Sequence, residues 1–246
     1  MKRIGFICCL LSLALAFASC EKKENHPLPP IPGGGEENPT PEPTPEPTPE
    51  QKGKSRYIWI DAGGNFKDYA NNSAKIASDV KRIKETGFTD LVVDVRPTNG
   101  TVLFASRQGE PLQKIDAWVN GSYVWLKRTA NFDYLQAFID AARENGLRVN
   151  ASINTMVGGY LCPYGLGSDG PIFKDAKMKS WASVINTSDG LVNTMDLNDS
   201  STDSGARFFN PAHPDAQAYV LGLLADLAKY DLDGIILDRC RYDDYS

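Results

Sequence analysis

The chain has 246 residues, of which 41% are hydrophobic and 23% charged, and its formal net charge is −5. This composition is typical of a globular domain that carries additional polar sequence. The acidic balance gives no indication of nucleic-acid binding, so we expect no nucleic-acid partner.

The chain begins with a segment typical of a secretory signal peptide. Lys2 and Arg3 are followed by an apolar run over residues 4–17, which is too short to span a membrane. The sequence Phe-Ala-Ser-Cys that ends at Cys20 resembles the lipobox of bacterial lipoproteins. We therefore expect residues 1–19 to be a lipoprotein signal peptide and Cys20 to carry lipid, which anchors the protein to the outer membrane on its periplasmic or cell-surface side. An ordinary leader with a cysteine at the cleavage point is the alternative.

A linker rich in proline, glutamate and threonine follows, over residues 20–54. Its repeated Pro-Thr-Pro-Glu units cannot bury apolar surface, so the sequence predicts an extended tether between the lipid and the folded part. A proline-rich recognition ligand is the alternative. The folded domain is predicted over residues 55–246.

Four short apolar segments rich in β-branched residues are predicted to be strands. Three segments with apolar residues at three- and four-residue spacing lie between them and are predicted to be helices. This alternation indicates parallel strands joined by helical crossovers. The predicted strands are Tyr57–Ile60, Leu91–Val95, Leu147–Ile153 and Gly234–Asp238, and the predicted helices are Asn72–Thr86, Phe132–Asn145 and Pro214–Tyr230.

The connections between these elements differ in length. Each helix returns to the next strand through a few residues, and Gly87 and Gly146 stand where a helix ends in a left-handed residue. The strand-to-helix connections are long, over residues 96–131 and 154–213, and the second contains a predicted hairpin with its turn at residues 188–190. The extra sequence therefore falls at the carboxyl ends of the strands, where α/β folds build their active sites.

Cysteines and acidic residues give no metal-binding pattern in the predicted domain. Cys162 and Cys240 are its two cysteines, and they are interpreted as free thiols, with a disulfide between them as the alternative in an oxidising compartment. The acidic stretch over residues 196–203 lacks the glycine and the terminal glutamate of a calcium loop. We predict no metal and no cofactor.

Polar side chains lie late in the second and third predicted strands. Alternation places Asp94 and Arg96 on one face of the second strand, and Asn150, Ser152 and Asn154 on one face of the third. Because the strands of a parallel sheet are buried on both sides, polar residues late in a strand favour a site at its carboxyl end. Asp94, Arg96 and Asn154 are therefore candidate substrate-binding residues, although Asp94 and Arg96 could simply pair with each other.

Asp238 ends an otherwise apolar strand and is the candidate catalytic residue. A carboxylate is costly there unless it lies at the open end with partners. Arg239 and Arg241 supply positive charge beside it, and both are candidate substrate-binding residues together with Tyr242. A salt bridge to either arginine at the rim of the sheet is the alternative. Aromatic residues near the strand ends could stack on sugar rings: Trp59, Phe66, Tyr160, Tyr164, Tyr242 and Tyr245.

Several blocks of this sequence resemble one family over residues 55–246. Residues 233–242, Asp-Gly-Ile-Ile-Leu-Asp-Arg-Cys-Arg-Tyr, are similar to the fourth-strand signature of the glycosyl hydrolase-like family 10 proteins, which are bacterial (βα)8 barrels distantly similar to α-amylases. Val-Asp-Val-Arg-Pro at residues 93–97 and Phe-Asn-Pro-Ala-His-Pro-Asp at residues 209–215 resemble further motifs of the family. Residues 141–154 depart from it, since the family commonly shows a histidine and a tryptophan in this block.

The resemblance implies an α/β fold, a (βα)8 TIM-type barrel of which this chain holds the N-terminal half, truncated after the fourth strand. It implies hydrolysis of glycosidic bonds, with Asp238 where related barrels keep a catalytic carboxylate. Glycosidases need two carboxyl groups, one as proton donor and one as nucleophile or base. The second is expected beyond the fourth strand, so we expect this fragment to be inactive alone.

The function expected of the full-length parent is therefore that of a lipid-anchored glycoside hydrolase acting on a bacterial envelope glycan or a dietary polysaccharide. Its expected partners are a polysaccharide or oligosaccharide, and the membrane through the N-terminal lipid. The alternative is a surface lipoprotein that binds glycans without cleaving them. An inert truncated product is the third possibility.

Overall fold

A computed structural model of the protein describes residues 53–162, 166–188, 190–197 and 205–242. The expected signal peptide, the lipidation site Cys20 and residues 20–52 of the predicted linker lie outside the described residues. Tyr164, Tyr245 and residues 198–203 of the acidic stretch lie outside them as well. Among the described residues, no helix combines the length and the apolar character that crossing a membrane requires.

The strands fall into one parallel sheet and three smaller antiparallel groups. All four predicted strands are confirmed, with bounds that shift by at most one residue at either end. In chain order the strands are β1 (Tyr57–Ile60), β2 (Asp90–Arg96), β3 (Lys114–Val119), β4 (Ser122–Lys127), β5 (Arg148–Asn154), β6 (Val157–Cys162), β7 (Gly167–Asp169), β8 (Val184–Thr187), β9 (Gly190–Asn193), β10 (Ala206–Phe208) and β11 (Gly234–Asp238).

The three long helices of the described residues coincide with the predicted ones, and each begins with a side-chain cap. Asn72 accepts a hydrogen bond from the amide of Lys75, Asp133 accepts one from Gln136, and Nδ1 of His213 accepts one from Asp215. The helices are α1 (Phe66–Tyr69), α2 (Ser73–Glu85), α3 (Tyr134–Glu144), α4 (Pro171–Lys174), α5 (Ala176–Lys179) and α6 (Pro214–Leu227), with a 3₁₀ turn at Thr194–Asp196.

The central sheet is parallel, with the strand order β1-β2-β5-β11. Each parallel strand is added beside the one that precedes it in the chain, and the order never reverses. A doubly wound sheet contains such a reversal, whereas a barrel does not. The sheet therefore has the strand order of an α/β barrel-like fold.

One face of this sheet is apolar and lies against the helices. Its side chains join buried residues of α2, α3 and α6 in one hydrophobic core. Burial of apolar surface of this kind is the main force that stabilises a fold. The strand residues in the core are Ile60, Leu91, Val93, Val95, Val149, Ala151 and Ile153.

The opposite face of the sheet is mixed, since Trp59, Val92 and Ile236 lie among its polar residues, and an ion pair fixes its amino end. The carboxylate of Asp90 is almost fully buried and accepts two hydrogen bonds from Arg148, at 2.6 and 2.9 Å. Two-point contacts of this kind are among the stronger hydrogen bonds in proteins. The pair lies at the end of the sheet away from the predicted site.

The long connections at the carboxyl ends hold the antiparallel elements. The β3–β4 hairpin lies between β2 and α3, and the connection from β5 to α6 contains the sheet β10-β6-β7 and the β8–β9 hairpin. The predicted hairpin around residues 188–190 is confirmed as β8–β9. The β3–β4 hairpin and the three-stranded sheet were not anticipated from the sequence.

Candidate functional site

A cleft of about 190 Å³ opens at the carboxyl ends of the four parallel strands. Three of its lining residues carry carboxyl groups, and they lie at or near the carboxyl ends of three different strands. The residues that line it are Trp59, Asp61, Gly63, Asp94, Pro97, Thr98, Ile115, Asn154, Asp238 and Arg239.

Asp94 is the most buried carboxyl group of the cleft, with 6% of its surface exposed. Burial raises the pKa of Asp94 to about 7, and the charges of Asp61 and Asp238 add to the rise. Backbone amides of Arg96 and Ala62 oppose it, the former at 3.2 Å from Oδ1. At neutral pH this carboxyl group therefore exists in both protonation states and can donate a hydrogen bond as well as accept one.

Asp61 is an acidic residue of the cleft that the sequence interpretation missed. It is exposed and follows β1 directly, in a turn where its carboxylate accepts a hydrogen bond from the amide of Gly64. The amide of Asn65 donates to the Asp61 carbonyl oxygen at 3.0 Å. Its position at the carboxyl end of the first predicted strand was the available signal, by the same rule that identified Asp238.

Asp238 ends β11 at the exposed rim of the cleft. Its Oδ1 accepts a hydrogen bond of 2.8 Å from the amide of Arg239, and its carbonyl oxygen accepts one of 2.7 Å from the amide of Thr155. Arg239 adopts a left-handed backbone conformation, with φ at 46°. This conformation is costly for a residue with a β-carbon, and such strain is often found at functional sites.

Arg96 lies beneath the cleft, and its side chain is completely buried. The prediction that it shares a face with Asp94 is wrong. A β-bulge between the two residues interrupts the alternation, so Asp94 is in register with Ser152 whereas Arg96 is in register with Ile153. The guanidinium of Arg96 donates a hydrogen bond of 2.6 Å to the carbonyl oxygen of Val157. Contact between this side chain and a sugar would require the packing to open.

Asn154 joins Arg96 to the cleft. Its Nδ2 donates a hydrogen bond of 2.8 Å to the Arg96 carbonyl oxygen, and Arg96 donates one to the Asn154 carbonyl oxygen. Asn154 is also in register with Asp238 on the neighbouring strand. These contacts fix the ends of β2, β5 and β11 relative to one another.

The remaining predicted site residues lie beyond the cleft. Arg241 and Tyr242 are exposed, and neither lines it. The guanidinium of Arg241 donates to the carbonyl oxygen of Tyr242 at 3.1 Å and lies 5.6 Å from the ring centre of Phe208. Trp59, by contrast, lines the cleft with 47% of its surface exposed.

Cys162 and Cys240 are both free thiols. Burial raises the pKa of Cys162 to about 12 and also raises the pKa of Cys240. A thiol with a raised pKa is a poor nucleophile, because the thiolate is the reactive form. Among the described residues, no group of three or more histidine, cysteine or acidic side chains is arranged to hold a metal ion.

The fold and the site together define an α/β barrel-like protein with an acidic cleft at the carboxyl ends of its parallel strands, which is where barrel enzymes place their active sites. Residues 54–246 match the sequence profile of the family described as Glycosyl hydrolase-like 10. The chain therefore belongs to this family, as its sequence motifs indicated.

A curated relative and several solved structures are similar to the chain. An S-layer-related protein of Niallia circulans is 28% identical over 200 residues, which cover 79% of this chain and 12% of the relative. Alpha-L-fucosidase isoenzyme 2 from Paenibacillus thiaminolyticus is 20% identical over 75% of this chain and 23% of its own length, with a TM-score of 0.48. An alpha-amylase from Lactobacillus plantarum is 18% identical over 75% of this chain and 38% of its own length, with a TM-score of 0.45.

Proposed function

We propose that the protein acts in the cleavage of glycosidic bonds, with Asp238 as nucleophile or electrostatic stabiliser of the developing sugar cation. The observation that carries the proposal is the convergence of Asp61, Asp94 and Asp238 in one cleft beside Trp59. Glycoside hydrolysis needs carboxyl groups at the scissile bond, and an indole ring can stack on the apolar C–H face of a sugar. Membership of the glycosyl hydrolase-like 10 family supports the same chemistry.

In this proposal each residue of the cleft has a different role, which its surroundings determine. Asp238 lies at the solvent-exposed rim and faces the anomeric carbon. Asp94, with its pKa of about 7, holds a sugar hydroxyl by donating or accepting a hydrogen bond. Asp61 contacts a second hydroxyl, and Arg239 binds a ring or linkage oxygen. The proposal requires a proton donor for the leaving oxygen in addition to Asp238.

The proposed substrate is a glycan of the bacterial cell envelope, and the proposed location is the outer membrane, held through lipid on Cys20. The curated relative is named an S-layer-related protein, which supports a role at the cell surface. The chain spans 12% of the length of that relative. Incorporation of labelled palmitate into the wild type but not into Cys20→Ala tests the anchor, and equal labelling of both would exclude it.

The assignment of Asp238 as the catalytic residue is tested in the full natural gene product that contains residues 55–246. Wild type, Asp238→Asn and the control Asp231→Asn are incubated with peptidoglycan glycan strands and a panel of plant and host polysaccharides, and released reducing ends are counted. Asp231 is exposed and precedes β11, away from the cleft. We expect Asp238→Asn to lower release by about a thousandfold or more, as loss of a catalytic group does. Unchanged release would refute the assignment, and binding without release by the wild type would favour a glycan-binding protein.

A further inference from the structure

The β3–β4 hairpin has two faces of different composition. Its strands are in register from Lys114 opposite Lys127 to Val119 opposite Ser122, so alternate residues share a face. One face is aliphatic, and its Ile115 and Leu126 pack in the hydrophobic core of the domain. The other face is made of aromatic and charged residues, of which Trp118 is the most exposed aromatic one.

The second face presents aromatic rings in a row. Trp118 is 62% exposed, and its ring lies 5.1 Å from that of Tyr123 at 71°, in an edge-to-face arrangement. Further along the same face, the ammonium group of Lys114 lies 3.7 Å from the ring centre of Trp125. Edge-to-face packing against Tyr123 supports the Trp118 ring, which presents most of its surface to solvent.

A carboxylate and a fourth ring lie beside this row. Asp116 is on the same face of the hairpin, half-buried and in register with Trp125. Tyr160 of β6 is electrostatically coupled to this face: burial raises the pKa of Tyr160 to about 12, and the charges of Asp116, Cys162 and Tyr123 contribute to the rise. The hairpin and the β10-β6-β7 sheet therefore bring aromatic rings and an acceptor of hydrogen bonds together outside the cleft.

This combination matches the chemistry of a sugar polymer. A pyranose ring has apolar C–H faces that stack on aromatic rings and equatorial hydroxyls that donate hydrogen bonds to a carboxylate. An aliphatic partner would not use Asp116. The same hairpin contributes to both sites, since Ile115 on its aliphatic face lines the cleft and Asp116 lies on its aromatic face.

We propose that the aromatic face of the β3–β4 hairpin, with Trp118, Tyr123 and Asp116, is a second binding site for polysaccharide, which holds the chain where it continues beyond the cleft. The inference rests on the proposed function and extends it, because it names a polymer rather than a short oligosaccharide as the ligand. Binding at this face adds to the affinity for long chains and not for disaccharides.

The test measures binding in the Asp238→Asn background, in which cleavage does not interfere. The full chain is run in affinity gels that contain soluble starch, pullulan, dextran, xylan or solubilised peptidoglycan glycan strands. One of these polymers is expected to retain the wild type. We expect the affinity of Trp118→Ala for that polymer to be about tenfold lower, which corresponds to the loss of one aromatic contact. Trp118→Phe is expected to keep most of the retention. The control is Leu191→Ala, which removes a side chain 77% exposed on the β8–β9 hairpin.

Each outcome separates this inference from the proposed function. Equal retention of Trp118→Ala and wild type, or no retention of the wild type in any gel, overturns the second site. A smaller particle for Trp118→Ala than for wild type in sedimentation also overturns it, because the face would then bind a second copy. If Asp238→Asn loses sugar release and Trp118→Ala is retained like the wild type, the hydrolase proposal is supported and the second site is not. If retention depends on Trp118 but the wild type releases no sugar, the second site is supported and the hydrolase proposal is not.

Discussion

Arg96 and Asn154 each donate a side-chain hydrogen bond to the other's backbone carbonyl oxygen. The exchange joins the ends of β2 and β5 directly below the cleft, and Arg96 extends it to the carbonyl oxygen of Val157. Burial lowers the pKa of Arg96. The guanidinium nevertheless satisfies two buried carbonyl groups, which would otherwise be costly. The arginine that the sequence indicated as a substrate contact therefore acts as a support for Asp94 and Asn154.

Replacement of Arg96 by Met should destabilise the domain by about 3 kcal/mol, because the carbonyl oxygens of Asn154 and Val157 then lose their partner in the interior. Urea unfolding followed by circular dichroism measures the change. Arg82→Met is the control, since this side chain is 76% exposed in its ion pair with Asp79 and should change stability by no more than about 0.5 kcal/mol. Equal effects of the two substitutions would contradict the supporting role of Arg96.

The buried carboxyl group of Asp94 should make stability depend on pH between about pH 4 and pH 7. Its pKa is raised from 3.8 to about 7 on folding, so in this range the folded state keeps a proton that the unfolded state has lost. Stability therefore falls as pH rises, by up to about 1.4 kcal/mol per pH unit. Asp94→Asn removes this term, so its stability relative to wild type should increase from pH 4 to pH 7 and then level off. A difference that is constant over this range would contradict the raised pKa.

Asp226 provides the matched comparison, because it is equally buried but its pKa is shifted the other way. A hydrogen bond from Lys229, with further ones from the Arg107 amide and Ser106, lowers the pKa of Asp226 to about 2. Its contribution to stability is present above about pH 4 and is lost as pH falls toward 2. Asp226→Asn should therefore differ from wild type by a constant amount between pH 5 and pH 8. Denaturant titrations at each pH measure both variants.

The sequence predicted the parallel sheet and its helices because apolar spacing determines which residues can be buried. It also indicated Asp94, Asn154 and Asp238, since polar residues late in buried strands need an open end. Asp61 follows the same rule after the predicted strand Tyr57–Ile60 and could have been found. The bulge beside Val95 could not have been predicted, because it depends on the register with β5 and not on the residues of β2 alone.

The β3–β4 hairpin carries a local signal that the sequence interpretation did not use. Asn120 and Gly121 have φ values of 50° and 88°, as the two central residues of a tight hairpin turn require, and Asn-Gly is the preferred pair for it. The alternation of Lys114–Val119 before the turn fits the same interpretation. Which of its faces packs on the domain depends on contacts distant in sequence, so the exposed aromatic row could not be predicted.

Gly170 should be intolerant of any side chain, in contrast to Gly121. Both have positive φ, but a β-carbon on Gly170 would lie 2.2 Å from the Asn99 carbonyl oxygen and 2.5 Å from Cα of Gly159, whereas one on Gly121 would meet nothing within 4 Å. Gly121→Ala is therefore expected to cost about 1 kcal/mol, from backbone strain alone. Gly170→Ala adds the clash and should cost more than about 3 kcal/mol. Melting temperatures of the two variants compare them, and similar values would contradict the close packing.

Substitution of Arg239 tests whether the strained backbone at the rim of the cleft contributes to glycan binding. Its left-handed φ of 46° costs about 1 kcal/mol for a residue with a β-carbon, and glycine adopts this conformation without strain. Arg239→Gly should therefore leave stability unchanged or raise it by up to about 1 kcal/mol, while it removes the cationic side chain that lines the cleft. Asn120→Gly is the control, because it changes a residue of similar φ at the hairpin tip and keeps the cleft intact.

Stability and glycan affinity are measured for both of these variants in the Asp238→Asn background. The ligand is a short oligosaccharide of the polymer that retains the protein in the affinity gels. We expect the affinity for it to fall by about tenfold in Arg239→Gly, since a hydrogen bond from a charged group contributes about 1.5 kcal/mol or more. The affinity should stay constant in Asn120→Gly. Stability that rises as affinity falls would show that the strain is retained for binding, because selection for the fold alone favours glycine at this position. Lower stability with unchanged affinity would instead assign Arg239 to the support of β11.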